Sequence, residues 1–485
     1  MPKETSGYIP AGIQLSKTST VPLYMQLYQQ FREMITRGQL QPGDRVPSSR
    51  SLATELGVSR IIVSQCFEAL IIEGYFESRT GAGTFIAAVL PEQLLQVQPA
   101  APPVKGLPAY GETLYGSRIE ENPFQIGLPS LDKFPYHTWY KVAGNILKTL
   151  KHYHLGYEDT FGYGALRTAI AAYLRVARGV NCEAEQIVVV TGSQQSLNLV
   201  LLALLQPGSK VWMEDPGYHG ARLALQHAQM NICPVPVQSD GMDIDYALQH
   251  FPDARLAYVT PTHQFPLGYC LSDHKRQQLL AWAAAGDNWI LEDDYDSEYR
   301  YEGRPTPCLQ SADKHARVIY TGTFSKVLFP GLRLAYLVLP SLALADTFRQ
   351  VKESIDRQSP VLDQCILHSF MEQGHFIRHI HKMRLLYAER QLVLITLLEK
   401  HLPAYLDVCH IPAGMHLLCR LRDHVNVPRL KEEIHRQKIR VSFLDSYFMA
   451  HYQPPAILLG FTAYTAYRLR TAVEKLLHCF ERAAT

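Results

Sequence analysis

A lysine and two residues suited to anion binding lie close together in YTGTFSKVLFPGLRLAYLVLP, residues 320–340. Lys326 carries a primary amine that can form a Schiff base with an aldehyde. Thr323 offers a hydroxyl, and the guanidinium of Arg333 presents a planar fork of donors, so both suit a phosphate dianion. The segment therefore predicts a site at which Lys326 holds a phosphorylated aldehyde.

A second segment, WILEDDYDSEYRY at residues 289–301, places carboxylates at the end of an apolar run that is typical of a buried strand. Buried carboxylates are costly unless a cation lies nearby, and a protonated pyridine nitrogen is such a cation. We expect Asp293 to keep that nitrogen protonated and Tyr295 to hydrogen-bond a phenolic oxygen on the same ring. Alone, Asp293 would fit the role of a strand-end cap equally well.

Two further segments offer contacts to the same kind of ligand. In VVVTGSQQSLNLVLLAL, residues 188–204, a strand runs into a helix whose first residues, Ser193 and Gln194, lie beside free backbone amides and form an anion site. In EDPGYHG, Tyr218 follows a strand on a Pro-Gly turn and can stack on a pyridine ring, although a core aromatic would look the same. Taken together, the four segments describe a site for pyridoxal 5'-phosphate (PLP).

The elements that must position these residues are short apolar runs that alternate with helical patterns from about residue 118 onward. Each run is bounded by Gly, Pro or Asp, as expected for strands of a sheet buried on both faces in an α/β domain. The predicted strands are residues 186–190, 210–213, 256–259, 288–292, 317–320 and 334–339.

Residues 20–88 form a separate pattern that is rich in helix signals. An amphipathic helix is followed by two shorter helices, the first capped by Ser48 and closed by Gly57, the second starting after Ser59 with Val63, Phe67, Leu70 and Ile71 inward. Two short helices around a Gly-containing turn predict a helix-turn-helix. The tail YFESRTGAGTFIA predicts two strands around a glycine-rich tip, which is a wing.

This module resembles the GntR family of winged-helix regulators through PGDRVPSSRSLATELGVSR, EAL, EGYF and GAGTF. The resemblance implies that the second helix of the motif enters the major groove of double-stranded DNA and that the wing contacts the minor groove or backbone. The residues that it assigns to DNA are Ser48, Arg50, Ser59, Arg60, Thr80, Gly81 and Gly83. Residues 1–88 carry eight Lys/Arg against seven Asp/Glu, so we expect affinity to depend on local placement and dimerisation.

The large domain resembles PLP-dependent aminotransferases of fold type I across residues 118–485. That likeness implies a mostly parallel sheet with a smaller C-terminal α/β subdomain. It also implies that Tyr157, in LGYEDTFGYGALRTAIAAYL, reaches the phosphate in the neighbouring subunit's site. Together with the winged module at residues 20–88, called the head below, the chain resembles the MocR subfamily. Members of that subfamily are head-to-tail homodimers that sense PLP, often with an amino compound. Residues 89–117, with five prolines, are the expected linker.

Two stretches depart from ordinary aminotransferases. Where those enzymes show Asn-Pro-x-Gly, this chain has HQFPLG, a form shared with MocR-type proteins, and the resemblance places His263 at the cofactor. Where relatives have Leu-Arg-Leu-Gly-Phe, this chain has Leu458 in place of the arginine that pairs with a substrate carboxylate. Either another cation, with Arg222 a candidate, takes that role, or the effector is not an ordinary amino acid.

Composition narrows the class of protein. The 485 residues are 47% hydrophobic and 19% charged with a net charge of +2, which is typical of a multidomain globular protein. Nine scattered cysteines without a CxxC pair argue against disulfides or a zinc ribbon and favour a reducing compartment. Without a signal-peptide layout or an apolar run of ~20 residues, a cytoplasmic protein with no membrane partner is expected.

Three functions remain open from the sequence. The first is a PLP-responsive regulator, in which PLP or its adduct with an amine controls operator binding, for example at vitamin B6 or amino-compound metabolism genes. The second is an aminotransferase with an autoregulatory head, with Lys326 as the base. The third is a DNA-binding scaffold with a vestigial domain. Sustained turnover of amino acids would indicate the second function. DNA regulation that is independent of PLP would indicate the third.

Overall fold

A computed structural model describes residues 12–91, 123–151, 156–303 and 306–484. Most of the expected linker, residues 92–117, lies outside the described residues, as do residues 118–122. The chain divides into two compact units, Met1–Leu114 and Tyr115–Thr485.

The first unit packs three helices against a small antiparallel sheet with the strand order β1-β3-β2. Its elements are α1 (Leu23–Thr36), β1 (Arg45–Val46), α2 (Ser49–Leu56), α3 (Arg60–Ile72), β2 (Phe76–Arg79) and β3 (Gly83–Ile86). Phe31, Phe67 and Phe76 meet edge to face at its centre, with ring centroids 5.3 to 6.1 Å apart. The three rings therefore tie α1, α3 and the wing into one core.

Local sequence signals set the boundaries of the helix-turn-helix. Ser48 caps α2 by accepting a hydrogen bond from the Ser51 amide at 3.2 Å, and Gly57 ends the helix in the left-handed region with φ 62°. Ser59 precedes α3. The expectation that Ile71 points inward was wrong: it is 38% exposed, and Cys66 is buried on the stripe instead, one turn before Leu70.

The second unit contains eleven α-helices and twelve strands among the described residues. The helices are α4 (Tyr136–Thr149), α5 (Gly164–Arg178), α6 (Ser193–Leu204), α7 (His219–His227), α8 (Ile244–His250), α9 (Asp273–Ala285), α10 (Ala345–Ile355), α11 (Val361–Glu372), α12 (His375–His401), α13 (Val427–Arg436) and α14 (Ala466–Ala484). The strands are β4 (Ile187–Val190), β5 (Lys210–Asp215), β6 (Asn231–Gln238), β7 (Gly241–Met242), β8 (Leu256–Val259), β9 (Trp289–Asp294), β10 (Val318–Thr323), β11 (Ala335–Val338), β12 (Leu406–Val408), β13 (His416–Leu421), β14 (Ser442–Phe443) and β15 (Ala456–Gly460).

A mostly parallel sheet with the order β4-β11-β10-β9-β8-β5-β6-β7 forms the centre of this unit, as predicted. β10, β9, β8, β5 and β6 run parallel, whereas β11 is antiparallel to β10 and β4. A smaller antiparallel sheet, β12-β13-β15-β14, lies toward the C-terminus. In such α/β sheets ligands bind beyond the carboxyl ends of the strands, and the predicted site residues are at those ends.

None of the described helices is both long and apolar enough to span a bilayer.

Candidate functional site

Lys326 lies three residues beyond β10, in the turn that leads toward β11. Its Nζ donates a hydrogen bond to the carbonyl oxygen of Gly127 at 2.8 Å. Gly127 has φ +70°, where other residues are strained, and an added Cβ would lie 2.7 Å from Nζ and displace the amine. Burial lowers the pKa of Lys326, while the charges of Asp296 and Asp293 oppose that shift. A lysine whose charge is destabilised in this way is a better nucleophile.

Asp293 is a buried acid on the strand next to the lysine's strand. It lies opposite Thr321 in the parallel β9–β10 pair, and its Oδ2 accepts a hydrogen bond from the Tyr258 hydroxyl at 2.7 Å. Burial raises the pKa of Asp293 to about 6, against the effect of the Tyr258 hydrogen bond. Such a carboxylate is stabilised when a cation binds beside it.

Tyr295 and His263 form a polar pair next to this acid. The Tyr295 hydroxyl lies 2.9 Å from His263 Nδ1, and the same nitrogen lies 3.1 Å from both carboxylate oxygens of Asp296. His263 and Asp296 are almost fully buried. The buried carboxylate fixes the imidazole, which in turn orients the Tyr295 hydroxyl.

The predicted anion-binding residues come together at the start of α6. Arg333 packs against Gly192, because a Cβ added to that glycine would lie 3.3 Å from Arg333 Nη2. Ser193 and Gln194 begin the helix, and their amides have no acceptor within it. Thr323 accepts a hydrogen bond from the Ser325 amide at 3.1 Å, which leaves its hydroxyl hydrogen free to donate outward.

Tyr218 approaches the same helix start from the loop after β5. A Cβ on Gly220 would lie 2.5 Å from both Tyr218 Oη and Gln194 Nε2, so these two side chains converge above that glycine. The Tyr218 ring also meets Phe265 edge to face at 5.9 Å. The tyrosine thus lies between the anion-binding helix and the loop that carries His263.

These residues fit PLP. The space beside Gly192 that a Cβ would fill, with Arg333 next to it, suits a phosphate. The buried Asp293 suits a protonated pyridine nitrogen, and the desolvated Lys326 suits an aldehyde carbon. The chemistry of Arg333, Asp293 and Lys326 therefore agrees with the cofactor expected from the sequence.

Two residues with assigned roles make other contacts in this chain. Tyr157 is 77% exposed, with the Arg357 guanidinium 3.9 Å from its ring centroid, and it makes no described contact with Lys326 of its own chain. Arg222 donates to the carbonyl of Phe448 at 3.1 Å and lies 2.6 Å from His219 Nδ1. Arg222 is therefore already bound to protein groups.

The residues assigned to DNA are on the surface of the first unit. An open groove of about 500 Å³ is lined by Ser48, Arg50, Ser51, Thr54 and Glu55. At the start of α3, Ser59 and Arg60 are exposed, as are Thr80, Gly81 and Gly83 at the tip of the wing. This surface presents cations, hydroxyls and helix-start amides, which are suited to phosphates and base edges.

Sequence reasoning missed several residues that shape both sites. Tyr258 and Gly127, described above, bind Asp293 and Lys326. Near the wing, Arg45 is exposed, and a Cβ on Gly83 would lie 3.3 Å from Arg45 Nε. Its only sequence signal was a cation directly before the apolar Val46-Pro47 pair.

Family models match both units. Residues 135–446 match the aminotransferase class I and II family, and residues 23–86 match the bacterial regulatory proteins of the gntR family.

Full-length relatives share the same combination. Over 482 residues the chain is 36% identical to the probable rhizopine catabolism regulatory protein MocR of Rhizobium meliloti, covering 96% of this chain and 95% of that protein. It is 31% identical over 473 residues to the pyridoxine biosynthesis transcriptional regulator PdxR of Corynebacterium glutamicum, covering 96% and 98%. The crystal structure of a multiple substrate aminotransferase from Thermococcus profundus superimposes with a TM-score of 0.68 at 27% identity, covering 76% of this chain and 92% of that one.

Fold and site together define a winged helix-turn-helix protein with an aminotransferase-like domain of fold type I. The chain belongs to the MocR-type transcription regulators of the GntR family.

Proposed function

We propose that this regulator senses PLP at Lys326 and that the occupancy of that site controls how the winged helices bind an operator in the cytoplasm. The observation that carries the proposal is the convergence of Lys326, Asp293 and the Arg333–Gly192 pair at the carboxyl edge of one sheet. Genes of vitamin B6 or amino-compound metabolism are the proposed targets.

Each side chain has a distinct part in holding the cofactor. When bound, PLP supplies an electrophilic carbon and an electron-withdrawing ring. Lys326 holds the aldehyde end, Asp293 keeps a proton on the ring nitrogen, and Tyr295 donates toward the ring's phenolic oxygen. Ser193, Gln194, Thr323 and Arg333 bind the phosphate. Tyr218 covers one face of the ring, and His263 positions the Tyr295 hydroxyl.

A signal requires that the ligand bind one arrangement of the heads more tightly than another. We propose that this arrangement is set in a head-to-tail homodimer, in which each subunit contributes Tyr157 to its partner's phosphate site. The exposure of Tyr157 on this chain supports that assignment, because its hydroxyl is available to a second subunit. The operator would then be bound by two heads.

The test is DNA footprinting upstream of the protein's own gene with and without PLP. Wild type should protect an operator with a PLP-dependent pattern or affinity. Lys326→Ala should still protect DNA but should lose the response to PLP and any borohydride-trapped adduct. Lys314→Ala, which removes an exposed lysine of the same unit, is the matched control. A full PLP response in Lys326→Ala would contradict the proposal.

A second function, transamination, is supported by the lowered pKa of Lys326, since a neutral lysine can move a proton as a base. Keto-acid release from amino acids by the PLP-loaded protein tests it. Sustained release over many turnovers would make the chain an enzyme as well as a regulator, whereas at most one equivalent per site is expected of a sensor.

A further inference from the structure

The surroundings of Lys326 indicate which compounds can share the site with the cofactor. Resting on the function proposed above, we propose that the small-molecule effector is a primary amine without a carboxylate, with an alkyl or aromatic body. Three features of the described residues lead to this class: an apolar wall, an excess of acids, and cations that already have partners.

Aromatic rings and aliphatic groups form the wall. Phe265 lies at its centre, with ring centroids 5.3 Å from Tyr447, 5.7 Å from His416 and 5.9 Å from Tyr295. Tyr447 packs in turn on the buried cluster that contains Leu458.

Ile126 packs on the same cluster and directly precedes Gly127, whose carbonyl binds Lys326 Nζ. The apolar surface therefore begins next to the reactive amine, and a substituent on the amino carbon of a ligand would meet hydrocarbon there.

The charged groups that act on Lys326 are acids. Asp293 and Asp296 both act on the lysine electrostatically. Glu214 is also buried, its charge acts on that of Asp293, and it accepts a hydrogen bond from the Thr260 hydroxyl at 2.6 Å; burial raises its pKa to about 7. A ligand carboxylate would add a further negative charge to this set of acids, and repulsion between like charges is unfavourable at short range.

Apart from Arg333, the cations that the structure describes around the site are already bound to protein groups. Arg178 pairs with Asp294 at 2.6 Å, and Arg222 has the two contacts given above. Arg300 donates to the Glu302 carbonyl at 3.1 Å and to Thr306 at 3.2 Å. Arg333 lies at the phosphate end beside Gly192.

His416 adds no positive charge to the wall. Burial and the neighbouring His263 lower its pKa to about 4, and its Nε2 lies 3.0 Å from the Pro266 carbonyl. A carboxylate held beside Leu458 would thus be buried without a counter-ion, and that arrangement is costly. An amine with an uncharged body meets no such cost.

The experiment compares compounds that differ only at the carboxylate. PLP-loaded protein is titrated with L-phenylalanine, L-phenylalaninamide and 2-phenylethylamine, and with L-alanine, L-alaninamide and ethylamine. The half-saturating concentration is read from visible absorbance and calorimetry and is divided by the value for the same compound with free PLP. That ratio removes the differences in amine basicity.

We expect the amine and the amide of at least one series to saturate at least tenfold lower than the amino acid. Equal or tighter binding of both amino acids, or a failure of every amine and amide to bind, would overturn the proposal. If the amide follows the amino acid, size rather than charge decides, and the proposal again fails. Protein that never develops cofactor absorbance would instead refute the proposed function.

Leu458→Arg provides a second measurement. The new cation should lower the half-saturating concentration of the amino acid at least tenfold, whereas Leu458→Met, the uncharged control, should not. A Leu458→Arg protein with normal cofactor absorbance and an unchanged preference for amines would contradict the role of this wall. If that variant does not fold, the wild-type series alone decides.

Discussion

Asp293 is the residue whose ionisation should set how tightly the site holds a cationic ring. Because burial raises its pKa to about 6, the carboxyl is mostly protonated at pH 5 and mostly ionised at pH 7. The ionised form is the one that pairs with a ring cation, so PLP affinity should rise about tenfold over that interval. Equilibrium dialysis at both pH values measures the change.

Asp293→Asn is the control for this pH dependence, since the amide cannot ionise. Its affinity for PLP should be weaker at pH 7 and should change with pH only as Lys326 and the cofactor's own groups titrate. An equal pH response in the variant and the wild type would show that another group is responsible.

Asp215 shows how one element holds another near the site. At the end of β5, its carboxylate accepts hydrogen bonds from the amides of Met449, Ala450 and His451, each at 2.7 Å. It therefore fixes the segment that follows Tyr447, on the wall described above. Hydrogen bonds to a charged acceptor contribute about 1.5–3 kcal/mol.

Asp215→Asn should accordingly lower the free energy of unfolding of the second unit by about 2 kcal/mol, because its NH₂ group would face backbone donors. Tryptophan fluorescence during urea unfolding measures this unit alone, since all four tryptophans, at 139, 212, 282 and 289, lie in it. Asp253→Asn, which removes an exposed partner of Lys210, should leave the midpoint unchanged. Identical midpoints for all three proteins would contradict the prediction.

The elements show what the sequence could and could not predict. All six strands predicted in the second unit are present, because each is a short apolar run bounded by turn residues. β6 was missed because Pro234 and Pro236 interrupt its pattern. Both prolines precede Val237 and Gln238, the residues that pair with β7, so they lie on an edge of the described sheet, where proline is tolerated. The strands of the small sheet were not predicted individually.

The candidate site likewise contains residues that the sequence could predict and contacts that it could not. Lys326 and Asp293 could be singled out because residue type and position after a strand suffice to suggest their chemistry. The contact between Lys326 and Gly127 joins residues 199 positions apart, and the Tyr258–Asp293 bond joins neighbouring strands. Such contacts depend on tertiary structure, so no local pattern announces them.

At the scale of the whole molecule, DNA binding should be separable from cofactor binding. Arg60 is exposed at the first position of α3, where the family resemblance places a DNA contact. Arg60→Ala should weaken operator binding at least tenfold and make its dependence on log[salt] shallower by about one, while cofactor absorbance stays normal. Fluorescence anisotropy with labelled operator measures both effects. Arg37→Ala removes an exposed cation after α1 and is the control; equal losses in the two variants would indicate only a nonspecific charge effect.

The proposed dimer makes a prediction that no single subunit can satisfy. If Tyr157 serves the partner's site, Tyr157→Phe and Lys326→Ala each damage both sites of their own homodimer, the first by weakening the phosphate contact and the second by removing the amine. A mixed dimer of the two variants regains one complete site, with Lys326 from the first chain and Tyr157 from the second. Co-expression with two affinity tags isolates that dimer, and PLP titration should show one tight site per dimer with wild-type affinity. Mixed dimers whose lysine-bearing site stays as weak as in Tyr157→Phe would place the tyrosine outside the partner's site.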